Sequence, residues 1–279
     1  MLDINTFIEK SLQEDVGDGD HTSLACIPAG TNKKAQLLVK DNGILAGVEL
    51  AEMIFNKVNP SIKFNRMLVD GTRVKHGDIA FTVEGDARSI LTAERLVLNC
   101  MQRMSGIATT TAAYVEKLQG TKAQVLDTRK TTPCCRTIEK WAVAIGGGTN
   151  HRYALYDMIL IKDNHVDYSG GVTQAIKNAC NYLEANKKLL KIEVEVRNFE
   201  ELNEAIQCGG IFRIMLDNFT PENLKKAVEI VNGHYETEAS GGITLDTIRS
   251  YAETGVDYIS VGALTHSVKS LDLSLKAVD

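Results

Sequence analysis

Cationic residues crowd one stretch of the chain. Between Asp127 and His165 stand six Lys or Arg (Arg129, Lys130, Arg136, Lys140, Arg152, Lys162) against four Asp or Glu, a local excess of two positive charges in a sequence of formal net charge −5. Arginine offers a planar fork matched to carboxylate or phosphate and lysine a compact point charge, so a mixed set suits a ligand with several anionic groups. Arg129, Lys130, Arg152 and Lys162 are the candidates for that task. Arg136 and Lys140 lie on a helical pattern, where pairing with neighbouring acids at the surface is the alternative. Glu195 and Asp217 bring the opposite charge. Two carboxylates at one mouth repel unless a cation separates them, and Mg²⁺, which takes one or two protein carboxylates, answers that need; ion pairs with nearby Lys and Arg are the other answer. Glu193 shares strand parity with Glu195 and faces the same way one layer deeper, with no assigned role. EASGGIT and SVGALTHS put Ser240, Gly241, Gly242 and Gly262 in turns whose backbone N–H groups can cradle a phosphate. GGGTNHR sets His151 and Arg152 behind a glycine cluster, a loop able to close on a substrate, with a satisfied structural imidazole as the other reading of His151.

Elements that could position these groups are visible in the pattern. After about residue 120, short β-rich runs (AQVLD, MILIK, KIEVEV, FRIMLD, YETEA, DYISV) alternate with amphipathic helical stretches, which predicts a parallel sheet. The predicted strands end near Asp127, Lys162, Glu195, Asp217, Ala239 and Val261, so the last three intervals are each 22 residues by subtraction. Equal βα units curl into a barrel, and six visible strands fall short of eight, so the expectation is an incomplete or open barrel. Nearly every candidate above, Thr128 included, lies at the carboxyl end of a predicted strand, the reaction face of such barrels. Upstream, Ile4, Phe7, Ile8 and Leu12 mark a short amphipathic helix with Asp3 or Asn5 as its cap. AQLLVK, the DNG turn and ILAG read as a hairpin; VELAEMIFNKV reads as a helix, and IKFNRML and DIAFTVEG as strands. Two helical patterns run from about Ser89 to Leu118, broken at Ser105-Gly106.

Composition bounds the rest. With 279 residues, 44% hydrophobic and 24% charged, the chain can bury a substantial core and is not a disordered or low-complexity sequence. The acidic balance excludes a global field for nucleic acid or anionic lipid. MLDINTFIEK has no basic stretch followed by an apolar core, and no apolar run approaches the roughly 20 residues that span a bilayer, so a cytoplasmic location is expected. Six cysteines without a CxxC fit reduced thiols rather than a zinc site, and His21, His76 and His234 are read as structural.

DTRKTTP, GGGTNHRYALYD, LIKDNH, EVEV, MLDNF, EASGGI and ISVGALTHS, preceded by TAERLVLNCMQRMSGIAT, resemble in order and spacing the quinolinate phosphoribosyltransferase family, over essentially the whole chain. The resemblance implies an α/β protein with an N-terminal α/β sandwich at 1–107, joined by the tail 267–279, and an open barrel of about seven strands at 108–266. It implies transfer of phosphoribosyl from phosphoribosyl pyrophosphate to quinolinate with loss of CO₂, Mg²⁺ as cofactor, and a homodimer in which Arg95 enters the partner's active site. It further implies that Arg95, Arg129, His151, Arg152 and Lys162 hold the pyridine dicarboxylate. Thr128 would help to bind substrate, and Lys130 would approach the reacting ribose and pyrophosphate. Glu195 and Asp217 would serve the metal and the ribose hydroxyls, and Ser240, Gly241, Gly242, Val261, Gly262 and Ala263 a phosphate. The family follows DTRKTTP with Gly-Leu-Arg, whereas this chain has Cys134-Cys135-Arg136, which bears on that loop's backbone. Three other readings stand beside it: a phosphoribosyltransferase for another anionic aromatic acid, a Schiff-base aldolase using Lys130 or Lys162, and a noncatalytic phosphate-ligand binder.

Overall fold

The computed structural model describes residues 3–278. The chain divides into two compact units, one of Met1–Ala112 with Thr131–Gly147 and Leu264–Asp279, the other of Ala113–Lys130 with Gly148–Ala263.

The first unit opens with α1 (Ile4–Val16), capped by the Asp3 carboxylate, which accepts the Asn5 and Thr6 amides. Next come α2 (His21–Cys26), β1 (Asn32–Val39), β2 (Gly43–Ile44), α3 (Val48–Val58), β3 (Lys63–Arg66), β4 (Arg73–Val74), β5 (Ile79–Asp86) and α4 (Ala87–Lys117), whose last turn lies in the second unit. β1 alternates: Ala35, Leu37 and Val39 are buried, and α3 turns Leu50, Ala51, Ile54 and Phe55 inward. Phe55, Phe64 and Phe81 meet in that core, with ring centroids 4.4–6.1 Å apart.

Two local expectations are corrected here. The predicted hairpin between β1 and β2 does not form. β1 is already paired antiparallel on both edges, with β5 on one side and the C-terminal strand on the other, so β2 has no free edge to join. β2 pairs with β4 instead, and the Ile44 amide donates to Thr109 Oγ1 of α4 at 2.8 Å. Nor does α4 break at Ser105-Gly106; it is one helix of 31 residues. Ser105 Oγ donates to the Ala46 carbonyl and accepts the Ala46 amide, and Gly106 lies so close to the Lys269 carbonyl that a Cβ would collide with it. The glycine serves close packing, not a helix stop.

The second unit begins with β6 (Gln124–Leu126). α5 (Arg136–Ile145) follows in sequence but belongs to the first unit, where Arg103 reaches Glu139 at 2.9 Å and the Thr265 carbonyl at 2.5 Å. The repeat then runs β7 (Ile159–Ile161), α6 (Asp163–Ser169), α7 (Val172–Ala185), β8 (Ile192–Val196), α8 (Phe199–Cys208), β9 (Arg213–Asp217), α9 (Pro221–Val231), β10 (Glu236–Ser240), α10 (Ile248–Ala252) and β11 (Tyr258–Ser260). α11 (Ala263–His266) and β12 (Leu273–Val278) end the chain, β12 pairing with β1.

The parallel sheet has the order β6-β11-β10-β9-β8-β7, so the last strand of the repeat pairs with the first and the sheet curls into a ring. The seventh position shrinks to a bridge, Thr149 beside Leu126, and the ring stays open between it and β7. Six strands and a bridge thus stand where about seven strands are expected. The strands end within one residue of the predicted ends.

Helix propensity alone makes Gly106→Ala stabilising by about 1 kcal/mol. The Lys269 contact reverses the sign, and a loss of about 1–3 kcal/mol in urea unfolding is expected.

Candidate active site

β6 delivers the DTRK segment to the ring's carboxyl end. Asp127, fully buried, accepts the His151 amide at 2.8 Å, and its own amide donates to the Thr149 carbonyl. The 149–151 backbone is therefore tied to β6 rather than a free hinge after its glycines. Thr128 Oγ1 accepts the Lys130 amide at 3.0 Å, and the Lys130 side chain is exposed. The Arg129 charge reaches Arg152. The Arg152 pKa is drawn down by burial and then by the Arg129 charge, while its Nη1 donates to the Met158 carbonyl at 3.2 Å. Arg129 Nε is buried with no acceptor among the described residues. Two guanidiniums within range of each other's charge, one with a buried donor unanswered, make an anion-binding arrangement.

Lys162, at the end of β7, pairs with Glu195 of β8 at 3.0 Å. Glu195 is pushed above the usual carboxylate range by burial; Lys162 pulls it down, and the Asp217 charge pushes it up again. Asp217, at the end of β9, accepts Ser240 Oγ at 2.7 Å on Oδ1 and Asn218 Nδ2 at 2.6 Å on Oδ2. Both carboxylates keep spare lone pairs, so these hard oxygen donors fit Mg²⁺, although the ion pair with Lys162 is the partner of Glu195 seen here. Ser240 leads into Gly241 (φ +98°) and Gly242 (φ +62°). A Cβ at Gly241 would strike the Asn218 side chain, so glycine is required on both conformational and steric grounds. Val261, Gly262 and Ala263 follow the neighbouring strand β11, which puts the two turns side by side at one rim.

His151 is turned inward and is 9% exposed. Its Nε2 lies 3.0 Å from Glu193 Oε2 and 3.3 Å from Glu238 Oε2, and its Nδ1 accepts the Arg152 amide at 2.7 Å. Burial lowers its pKa, but the bonds and charges of Glu193 and Glu238 outweigh that and push it up to about 9. A ring so raised would carry a second proton at pH 7, which an Nδ1 that accepts an amide cannot hold. The peptide plane fixes where that N–H points, so the short amide contact is the firmer constraint on the ring. Arg213 completes the cluster, 3.3 Å from Glu238 and 2.7 Å from Glu236, with its guanidinium 4.9 Å from the Phe212 ring centroid and 4.2 Å from that of Tyr258.

Glu238 and Arg213 carry no motif, yet a signal was present. In YETEA the glutamates alternate as they do in KIEVEV, and charges at every second position of buried strands mark an ionic interior face. Arg95 is exposed on α4 in the first unit, whereas the other candidates lie in the second. Lys140 is buried in α5, which corrects the surface reading. Cys134 adopts φ +64°, the left-handed conformation that the family's glycine takes without strain.

A repeat of parallel βα units closed into an open ring, with cations, acids and glycine turns on one rim, defines an open α/β barrel built for an anionic ligand. The family model for quinolinate phosphoribosyl transferase, C-terminal domain, matches residues 107–276, and that for the N-terminal domain matches residues 20–105. Quinolinate phosphoribosyltransferase [decarboxylating] 1b of Nicotiana tabacum is 47% identical, over 98% of this chain and 82% of its own length. The probable nicotinate-nucleotide pyrophosphorylase [carboxylating] of Bacillus subtilis is 40% identical, over 98% and 93%. Among solved structures, NadC from Streptococcus pyogenes superposes with a TM-score of 0.92 at 39% identity, covering 99% of this chain and 97% of that one. The nicotinate-nucleotide pyrophosphorylase of Francisella tularensis does so with 0.90 at 39%, covering 99% and 96%. The chain belongs to the quinolinate phosphoribosyltransferase family.

Replacing Cys134 tests the strained loop. Cys134→Gly is expected to raise the thermal midpoint, relieving a left-handed cost of about 1–2 kcal/mol partly offset by glycine's unfolded-state entropy. Cys134→Val, β-branched at positive φ, is expected to lower it.

Proposed function

We propose that this chain transfers the phosphoribosyl group of phosphoribosyl pyrophosphate to quinolinate, releasing pyrophosphate and CO₂ and forming nicotinate mononucleotide in NAD biosynthesis. Family membership supports the reaction, and the observation that carries the substrate assignment is the Arg129–Arg152 pair with its unanswered buried donor. In this reading Arg129, Arg152 and Lys162 take the two ring carboxylates, His151 lines the same wall, and Arg95 is contributed to the site of a second subunit. Lys130 faces the departing pyrophosphate. The Ser240–Gly242 and Val261–Ala263 turns hold a phosphate of the ligand, and Thr128 steadies the Lys130 backbone.

The chemistry asks little covalent work of the protein. The pyridine nitrogen already carries its lone pair, so attack on C1 of the sugar needs no general base. Breaking the C1–O bond leaves positive charge on the ribose, which Glu195 and Asp217 can stabilise, and negative charge on pyrophosphate, which Lys130 can stabilise; preorganised charges of this kind contribute about 10²–10³ each in rate. Mg²⁺ held by Glu195 and Asp217 would add positive charge beside the leaving group. The new pyridinium ring withdraws electrons, so the carboxylate beside the nitrogen leaves as CO₂, its bonding pair stays on the ring carbon, and that carbon takes a proton. A cytoplasmic homodimer is part of the proposal. All six cysteines are free thiols, which suits a reducing compartment, and among the described residues no helix is long and apolar enough to cross a membrane.

Pyrophosphate release and CO₂ evolution are expected in equal amounts with quinolinate, and neither with nicotinate. Chelation should stop both, and added Mg²⁺ should restore them; release of pyrophosphate without CO₂ would reassign the substrate. Lys130→Ala should abolish turnover with the fold intact, and wild-type turnover in that variant would refute its role. Mixing Arg95→Ala with Lys130→Ala chains should recover part of the activity, and none after verified subunit exchange would refute a shared site.

A further inference from the structure

The interior of this ring departs from the usual barrel core, which is filled by layers of branched apolar side chains. Glu193 of β8 pairs in register with Arg213 of β9, which pairs in register with Glu236 of β10, and Glu238 stands two residues further on the same face. Glu193 and Glu238 are wholly buried, and Arg213 is 8% exposed. The proposed reaction assigns none of the three a part, and ionic groups sealed in this way are costly unless their geometry serves something.

What they surround is His151. Its Nε2 lies against both carboxylates, and its Nδ1 takes the amide of the next residue, Arg152. A neutral ring that accepts an amide at Nδ1 carries its proton on Nε2, and here that nitrogen faces two carboxylates at 3.0 and 3.3 Å, whose charge favours that tautomer. We infer that Glu193 and Glu238, with Arg213 bracing them, are positioning residues: they fix His151 as its Nε2–H tautomer, so that Nδ1 binds the Arg152 amide and sets the direction in which the Arg152 guanidinium leaves the backbone. The inference rests on the reading of Arg152 as a substrate ligand. His151 then acts through Arg152, because its Nδ1 is taken by the Arg152 amide and its Nε2 is turned to the buried acids. Arg213 holds Glu238 at 3.3 Å and lies 3.9 Å from Glu193, which keeps both acids aimed at the ring.

The first test needs no substrate. In the ¹⁵N spectrum of the histidine-labelled protein at neutral pH, with His151 assigned by its loss in His151→Gln, Nδ1 should carry no proton and Nε2 should carry one. An imidazolium, or the Nδ1–H tautomer, would overturn the inference. The second test is kinetic. Glu238→Gln should raise KM for quinolinate about tenfold and leave KM for phosphoribosyl pyrophosphate within about twofold. In a His151→Gln background the same substitution should add nothing, whereas additive effects, or equal rises for both substrates, would contradict a role through His151. If Glu238→Gln does not fold, the wild-type spectrum alone decides. If the wild type fails to turn over quinolinate, the proposed function falls while the spectrum still tests the tautomer.

Discussion

Two carboxylates sealed inside a ring of strands must be answered by donors, and this requirement organises the second unit. Glu193 and Glu238 are wholly buried; Arg213 of β9 donates to Glu238, and the His151 ring from the loop after β6 stands 3.0 Å from Glu193. Desolvating a carboxylate costs several kcal/mol even after relaxation, and removing one partner of such a cluster typically costs about 3–5 kcal/mol. The loop that carries His151 is therefore held from within the barrel as well as by Asp127 on β6. Arg152, the next residue, inherits that fixity through its amide.

The rim above repeats the problem with the sign reversed. The Arg129 charge bears on Arg152, and Arg129 keeps a buried donor unmet, while Glu195 and Asp217 end neighbouring strands and the Asp217 charge makes Glu195 harder to ionise. Lys162 relieves part of the acidic crowding, and Ser240 and Asn218 share the load on Asp217. A doubly carboxylated ring and a magnesium pyrophosphate would satisfy both halves at once. Such a site binds by charge that is already in place, so little reorganisation is left for the moment of reaction.

Much of this arrangement was legible before any coordinates. β7, β8 and β9 are short runs of branched side chains bounded by polar turns; Lys162 follows the first, and the 22-residue interval marked a repeat whose ends carry Glu195 and Asp217. Of the two caps the sequence offered for α1, Asp3 and Asn5, it is Asp3 that serves. What escaped depended on partners far along the chain. The β1–β2 hairpin has sound turn chemistry but lost its edges to β5 and β12, and Gly106 looked like a helix stop because Lys269, which requires it, is remote in sequence. Lys140 fell on a helix pattern that ordinarily faces water, and only tertiary packing buries it. The alternating glutamates of YETEA held a signal for Glu238, but Arg213 was hidden in a strand that reads as ordinary, and the ionic face they share appears only when β8, β9 and β10 are set side by side.

The most direct test of a cationic wall fixed from below is the crystal structure of the protein with quinolinate bound. The expected result is both ring carboxylates on Arg129 and Arg152, Arg129 Nε included, with His151 Nε2 still against Glu193 and Glu238 and the Arg152 amide still on Nδ1. A ligand seated away from these arginines, or an imidazole swung out of the buried acids to meet it, would contradict the account.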